Sequence, residues 1–227
     1  MKTVLIKAMG ILTMAALVFS LASCKGQKAN GDESETTDTS TVTTTAATSN
    51  AAVRTGSEGL SFTVTGDGEC TLTGLGTCTD TAVSIPAVDD KGNAVVAIAA
   101  GAFESSRVSA IEIPETVIDI ADGAFAGCTK LSYISVSLRN ENYCSVDGVL
   151  YDAALTTLLC CPGARGDRTL TIAASVKSIA PYAFSDCTTL SSVQFGGTSD
   201  EWKDVDVGDD NAVLANAEVS YAKEDGK

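Results

Sequence analysis

None of the 227 residues of this chain is histidine. Cysteine and the acidic residues are therefore the main candidates for catalysis or metal binding. Without histidine there is no Ser/His or Cys/His nucleophilic pair, and the usual catalytic zinc sites are excluded. The cysteines are Cys24, Cys70, Cys78, Cys128, Cys144, Cys160, Cys161 and Cys187. None of them forms a Cys-x-x-Cys pair, which excludes zinc-ribbon and thioredoxin-like motifs. The residue types therefore predict a protein that is not an enzyme.

The densest acidic run lies near the C-terminus, where Asp204-Val205-Asp206-Val207-Gly208-Asp209 resembles the start of a calcium-binding loop. An EF-hand loop needs an oxygen donor where Gly208 falls and a bidentate glutamate where this chain has Ala215. We therefore interpret the run as a solvated surface, and we predict neither a metal nor a cofactor. Paired carboxylates for glycoside hydrolysis remain a catalytic alternative, but no apolar stretch indicates a pocket around them.

The net charge of the chain is -14 at pH 7. A surface of this sign repels the phosphates of nucleic acids and the headgroups of anionic membranes. We therefore predict no nucleic-acid partner, and no attachment to a membrane by electrostatic attraction.

Cys70 and Cys78 flank a segment with turn residues at Gly74 and Gly76. This pattern predicts a hairpin about Gly74 to Gly76, with the two cysteines near its open end. Two interpretations remain open at this point. A Cys70–Cys78 disulfide would staple the exposed first edge of the fold, or the two cysteines are small apolar residues that stack on their neighbours.

The elements that would position these residues follow from a sequence repeat. The segment from Ile113 to Ile134 matches the segment from Ile172 to Val193 without a gap. The coinciding positions are Ile113/Ile172, Val117/Val176, Ile120/Ile179, Ala124/Ala183, Phe125/Phe184, Cys128/Cys187, Leu131/Leu190 and Ile134/Val193. A shorter copy with Ala102 and Phe103 precedes the first long copy. Recurrent apolar positions with free variation between them predict stacked coils.

In this arrangement Cys128 and Cys187 are small interior residues, and two rungs of about 4.8 Å between them exclude a direct disulfide. The adjacent Cys160 and Cys161 would face opposite ways, one inward and one outward. A strained vicinal disulfide between those two is the alternative.

An expanded unit separates the two long copies. Its Tyr143-to-Tyr151 segment predicts a hairpin, because Asp147-Gly148 favours a two-residue type I′ turn. The last segment, from Gly196 to Ala222, contains Trp202 among acidic residues and predicts a C-terminal cap, with Val205 and Val207 packed inward. We predict a mostly β fold with short helical turns: a short solenoid with hairpin edges and a C-terminal cap.

The motif Ile-Pro-x-x-Val-x-x-Ile-x-x-x-Ala-Phe-x-x-Cys-x-x-Leu, from Ile113 to Leu131, resembles the leucine-rich repeat of the BspA type. The second copy differs at the proline, where Ala173 stands. The Tyr143-to-Tyr151 segment is similar to a Tyr-x-Ser-x-Asp-Gly-Val-Leu-Tyr unit of the same proteins, with Cys144 at a variable place. The resemblance implies a leucine-rich-repeat solenoid in a bacterial cell-surface protein, sometimes adhesive, and it supplies no catalytic residues.

The N-terminus has the layout of a secretory signal, with Lys2 and Lys7 before an apolar run. Leu21-Ala22-Ser23-Cys24 resembles the lipobox of bacterial lipoproteins, which implies lipidation at Cys24. We therefore predict a signal peptide at 1–23, a disordered Thr/Ser-rich tether at 24–58, the repeat domain at 59–223 and a disordered tail at 224–227. The predicted address is the bacterial cell surface, in the outer membrane or cell envelope, with the lipid as the sole membrane contact.

The strand that follows each Ala-Phe-x-x-Cys unit is the candidate binding surface. Alternation along it predicts that Ser132, Tyr133 and Ser135 face outward. Stacking would align Glu112, Ser135 and Gln194 in a ladder on one face. This face predicts non-catalytic binding of a protein or glycan at the cell surface, in adhesion or capture. A merely solvated strand face is the alternative interpretation, and a self-associating structural component of the cell envelope is the alternative function.

Overall fold

A computed structural model describes residues 56–223. The predicted signal peptide, Cys24, the predicted tether up to residue 55 and the tail at 224–227 lie outside these residues. Within the described range, no helix has the length and apolar character needed to span a bilayer.

The described residues form fifteen short strands, one α-helix and two 3-10 helices. The strands are β1 Ser61–Gly66, β2 Glu69–Gly74, β3 Ala82–Ser84, β4 Ala94–Ile98, β5 Ala110–Ile113, β6 Asp119–Ile120, β7 Tyr133–Val136, β8 Tyr143–Val146, β9 Val149–Asp152, β10 Thr157–Cys160, β11 Thr169–Ile172, β12 Ser178–Ile179, β13 Ser192–Phe195, β14 Asp206–Val207 and β15 Glu218–Tyr221. The α-helix, α1, spans Ser199–Lys203, and the 3-10 helices span Gly163–Arg165 and Ala212–Asn216.

Apart from β1-β2 and β8-β9-β10, which are consecutive strands of one sheet, successive strands alternate between two sets of sheets, which is the arrangement of a solenoid. One set contains the sheets β3-β5-β7 and β11-β13-β15, and the other contains β1-β2-β4-β6 and β14-β12-β10-β9-β8. Equivalent strands of neighbouring coils pair in parallel: Ala110 pairs with Tyr133, and Thr169 pairs with Ser192. The predicted mostly β solenoid is therefore confirmed.

The repeated apolar residues fill the interior, as the repeat predicts. Phe103, Ile113 and Ile134 lie in one buried cluster, and Phe184 and Phe195 lie in a second. In the first cluster the rings of Phe103 and Phe125 stack with their centroids 5.6 Å apart. Each coil buries its apolar ridge against the next, because an isolated coil has no partner for that ridge.

The expanded unit contains the predicted hairpin. Asp147 and Gly148, at φ 50° and 79°, join β8 to β9, and two positive φ values are the geometry of a type I′ turn. Strand β10 then pairs antiparallel with β9 and parallel with β12. The hairpin thus extends one sheet and separates β7 from β11 in the other.

The hairpin predicted about Gly74 to Gly76 is absent from the described structure. The N-terminal hairpin consists of β1 and β2, and its turn is at Asp67 and Gly68. Cys70 lies opposite Val64 in this hairpin, and both Cys70 and Cys78 are free thiols. The extended chain of β2 carries residue 74 roughly 13 Å from residue 70, so the two cysteines do not face each other across a hairpin. The structure therefore contains no staple at these positions.

The C-terminal segment adds one more coil. Thr198 and Glu201 form a capping box at the start of α1, and the Trp202 ring lies 5.1 Å from that of Phe195. Val205 is buried as predicted, but Val207 is 45 % exposed, contrary to the prediction that it packs inward. β14 is the end strand of its sheet and both of its residues are exposed, whereas Val205 precedes the strand.

Candidate functional site

The outer face of the sheet β3-β5-β7 contains two residues of the predicted ladder, Glu112 and Ser135, in a row of three rungs. Ser84, Glu112 and Ser135 pair in register across the three strands. The Ser84 hydroxyl donates a 3.0 Å hydrogen bond to Glu112 Oε2, and Ser135 Oγ lies 3.3 Å from the carbonyl oxygen of Ile111. The row therefore presents one carboxylate between two hydroxyls, all held by neighbouring rungs.

Tyr133 is the large apolar contributor to this face. It lies in β7 next to Ala110 of β5, and 50 % of its surface is exposed. Its ring lies directly above Gly148, where a side-chain Cβ would come within 2.5 Å of the ring. The turn of the expanded unit therefore supports the ring from one side and leaves the other side to solvent.

Ser132 has a structural role as well as partial exposure. Its hydroxyl donates a 2.9 Å hydrogen bond to the carbonyl oxygen of Ser109. Ser109 makes the same contact with Thr81 at 3.0 Å, and Ser191 makes it with Arg168 at 3.2 Å. These serines connect each rung to the previous one. Each hydroxyl already donates its hydrogen to a backbone carbonyl, so it has only acceptor capacity left for a binding partner.

Gln194 does not extend the ladder of Glu112 and Ser135, so that part of the prediction is wrong. It lies in the sheet β11-β13-β15, where it pairs with Thr171 and Ser220. The expanded unit separates the two sheets: the amide of Ile134 in β7 donates to the carbonyl of Gly148 instead of to a strand of the next coil.

A second outer face contains the predicted Gln194 and otherwise mostly hydroxyl groups. Its rows are Thr169, Ser192 and Glu218, and Thr171, Gln194 and Ser220. Thr169 Oγ1 and Ser192 Oγ are 2.7 Å apart, and Thr171 Oγ1 is 3.4 Å from Gln194 Oε1. The alternation Thr169-Leu170-Thr171 was the available sequence signal for this face.

The recess between the turn at residues 121–128 and the turn at 180–186 is narrow. It has a cavity volume of about 20 Å³ and is lined in part by Phe125, Cys128, Cys160 and Tyr182. A water molecule needs at least roughly 10–15 Å³ measured in this way, so the recess holds about one water. Within residues 56–223, no group of three or more Cys, Asp or Glu side chains is arranged to hold a metal ion.

Cys128 and Cys160 are interior thiols of low reactivity. The Cys128 thiol donates to the carbonyl oxygen of Phe103 at 2.9 Å, and burial raises the pKa of Cys128 to about 11. Burial likewise raises the pKa of the Cys160 thiol well above its ordinary value. Thiols of this kind are poor nucleophiles near neutral pH, because the thiolate is the reactive form.

Cys160 and Cys161 do not divide into an inward and an outward residue as predicted. Both are buried, Cys160 in the first apolar cluster and Cys161 in the second. Neighbouring residues of a strand face opposite sides. Both sides are buried at this point, because the chain here lies between the two apolar clusters. Both are free thiols in the described structure.

Comparison with known families identifies the repeat. A family model described as "BspA type Leucine rich repeat region" matches six copies, in residues 93–147 and 167–204. These are leucine-rich repeats of the BspA type. The gap between the matched BspA-type regions, residues 148–166, contains β9, β10 and the first 3-10 helix of the expanded unit.

Several solved structures resemble parts of the chain. A leucine-rich repeat protein from Eubacterium ventriosum is 24% identical, with a TM-score of 0.49, over 63% of this chain and 42% of its own. The pneumococcal vaccine antigen PcpA is 20% identical, with a TM-score of 0.42, over 57% and 37%. A leucine rich cell surface protein from Faecalibacterium prausnitzii is 28% identical, with a TM-score of 0.40, over 53% and 36%. Each of these matches covers less than half of the solved chain. No match was found among curated proteins.

Proposed function

We propose that this protein is a non-catalytic binding protein of the bacterial cell surface, anchored by lipid at Cys24, that takes a protein or glycan partner in adhesion or capture. The observation that supports it is the outer face of β3-β5-β7, where an exposed Tyr133 lies beside the in-register row of Ser84, Glu112 and Ser135. An aromatic ring next to hydrogen-bonding groups on a rigid strand face is typical of binding surfaces.

The chemistry of the described residues favours binding over catalysis. The chain contains no histidine, and burial raises the pKa values of the Cys70 and Cys128 thiols to about 11. A solvated strand face explains the serines, but it gives no reason for a half-exposed tyrosine on a surface otherwise made of small polar residues.

The test measures binding of the chain from Lys25 onward to immobilised matrix proteins and glycans, with Tyr133→Ala as the variant. We expect saturable binding that falls at least tenfold in the variant, because aromatic anchors contribute about 2 kcal/mol or more at such sites. Tyr221→Ala is the control, since Tyr221 is 41 % exposed in the other sheet. Absence of saturable binding at physiological salt, or equal loss in both variants, would contradict the proposal.

The second candidate function is a structural envelope component that associates with its own copies. It is favoured by β15, the last described strand of its sheet, which pairs with β13 on one side. An open strand edge is a template for pairing with another chain. Sedimentation equilibrium over a concentration series distinguishes the two functions, because self-association predicts a mass that rises with concentration.

A further inference from the structure

Cys161 occupies the place in its coil that Phe103 occupies in an earlier one. The amide of Phe103 donates to the carbonyl of Ala124, and the Cys128 thiol donates to the carbonyl of Phe103. The amide of Cys161 makes the same bond to Ala183, at 2.8 Å. The Cys187 thiol donates to the carbonyl of Cys161, at 3.0 Å. Ala124 and Ala183, like Cys128 and Cys187, are equivalent repeat positions, so Cys161 is the counterpart of Phe103.

This equivalence replaces a large ring with a small thiol at one interior position. Phe103 stacks on Phe125, whereas Cys161 places a sulfur at the corresponding site beside Cys187. The sequence alone does not reveal that Cys161 is equivalent to Phe103. The sequence offset between Cys128 and Cys187, applied to Phe103, leads to Pro162. A register shift between Leu158 and Cys160 accounts for the difference of one position.

The Cys187 thiol reaches the backbone of Cys161, where it donates to the carbonyl oxygen. The interaction between the two thiols lowers the pKa of Cys161 and raises the pKa of Cys187. Both residues belong to the second apolar cluster, with 5 % and 3 % of their surfaces exposed, and both line one small cavity together with Arg165. Cys187 Sγ lies 3.0 Å from the Cys161 carbonyl oxygen, which places the Cys187 sulfur beside the residue that carries the other thiol.

We propose that Cys161 and Cys187 form a disulfide that ties the end of the expanded unit to the following coil. The Cys161 thiolate attacks a disulfide donor, such as a small-molecule disulfide or a thiol oxidoreductase, to give a mixed disulfide and one donor thiol. The Cys187 sulfur then displaces the second donor thiol. Two cysteine thiols are thereby oxidised by two electrons, the donor disulfide is reduced to two thiols, and the described structure represents the reduced state. The exchange takes place while the chain folds, because both sulfurs are buried afterwards.

The other pairings are less well placed. Cys160 lies in the first apolar cluster, on the opposite side of the strand from Cys187. Cys128 has the same repeat position as Cys187 and the same thiol-to-carbonyl bond, but its acceptor belongs to Phe103, which supplies no sulfur. Cys128→Ser is therefore a matched control for Cys187→Ser.

The test refolds the full chain from denaturant in reduced and oxidised glutathione, then alkylates the denatured protein without reduction. We expect six of the eight cysteines to be alkylated, and mass spectrometry of a tryptic digest to find the peptide with Cys161 linked to the peptide with Cys187. The linkage is expected to persist in Cys160→Ser and Cys128→Ser and to disappear in Cys161→Ser. Alkylation of all eight cysteines, or a link from Cys128 or Cys160 in place of this one, would overturn the proposal. This readout does not depend on any binding partner.

Discussion

At the scale of single residues, two buried asparagines hold coil ends together. The Asn140 amide nitrogen donates to the carbonyls of Pro114 and Val117, and its oxygen accepts from the amides of Asn142 and Tyr143. Asn211 has the same role in the last coil, where its oxygen accepts from the amide of Phe184. Loops between coils expose backbone groups that no strand can satisfy, and one side-chain amide satisfies several of them.

Asn140→Ala should therefore reduce the free energy of unfolding by about 2–3 kcal/mol, because it leaves buried backbone donors and acceptors without partners. Urea denaturation measures the change. The control is Asn216→Ala, since Asn216 is exposed and makes a single 3.3 Å bond to Ala212, and there we expect less than about 0.5 kcal/mol. Equal effects of the two substitutions would contradict the role assigned to Asn140.

Asp89 provides a pH-dependent contribution to stability. Burial alone would raise its pKa, but hydrogen bonds from the side chain and amide of Asn93 and from the amide of Lys91 lower the pKa below its ordinary value. A carboxyl whose pKa is lower in the folded state stabilises the fold above its unfolded-state pKa, and this stabilisation is lost as the pH falls through the folded-state pKa.

Asp89→Asn should thus be less stable than the parent protein at pH 7, and the difference should shrink as the pH falls below about 4. Urea denaturation at several pH values checks this. Asp80→Asn, at an exposed position, serves as the reference and should change stability little. A difference for Asp89→Asn that grows on acidification would refute the assignment.

At the scale of elements, the type I′ turn of β8-β9 fixes both the hairpin and Tyr133. Gly148 combines a φ of 79° with a position against the Tyr133 ring, whereas Gly166 has a φ of 81° and open space where a Cβ would be. Substitution of Gly166 therefore tests the cost of the positive φ alone, and substitution of Gly148 tests that cost together with the clash against the Tyr133 ring.

Gly166→Ala should destabilise the protein by about 1 kcal/mol, the cost of a left-handed conformation for a residue with a Cβ. Gly148→Ala should cost more, because its Cβ also collides with the ring. Thermal and urea denaturation of both variants, and of Gly148→Ala in a Tyr133→Ala background, measure the difference. If the Tyr133 substitution recovers none of the excess, the ring is not the cause.

The sequence predicted those elements whose signal is local or repeated. The Asp147-Gly148 turn was predictable because few residues tolerate two positive φ values, and the parallel rungs followed from apolar residues that must match between coils. The hairpin predicted about Gly74 to Gly76 was wrong because β2 runs to Gly74 and pairs with β1 on one side and with β4 on the other. The equivalence of Cys161 with Phe103 could not be predicted, because a register shift between Leu158 and Cys160 moves Cys161 by one position relative to the repeat.

The candidate site was predictable only in part. Outward alternation placed Tyr133 and Ser135 correctly on the strand face, since side chains alternate along any strand. The separation of Gln194 from this face depends on how the expanded unit divides the sheets, and nothing in the local pattern around Gln194 reports that division.

At the scale of the whole molecule, the interior consists of two apolar clusters on either side of one hairpin. Strand β9 contributes Leu150 to the first cluster and Tyr151 to the second, and Cys160 and Cys161 of the following segment divide in the same way. Contacts in a solenoid are made mainly between neighbouring coils, so damage to one cluster should remain largely on its own side.

Phe184→Ala and Phe103→Ala test this separation, because both rings are almost fully buried, at 0 % and 1 % exposure. Each substitution should cost about 3–5 kcal/mol. Hydrogen exchange should show lost amide protection mainly in β11 to β15 for Phe184→Ala, and mainly in β2 to β7 for Phe103→Ala. Uniform loss of protection over both regions would show that the domain unfolds as one cooperative unit.

The division of the outer strands into two sheets of three limits how much a partner can cover at once. Three rungs at about 4.8 Å span only about 10 Å across the strands. The area of this face is therefore much smaller than the roughly 800 Å² that each partner buries in a stable complex. One copy that engages a partner through this face alone would bind weakly and release quickly. Many copies held side by side would instead engage a repeating ligand together, and their effective concentration would convert brief single contacts into durable attachment.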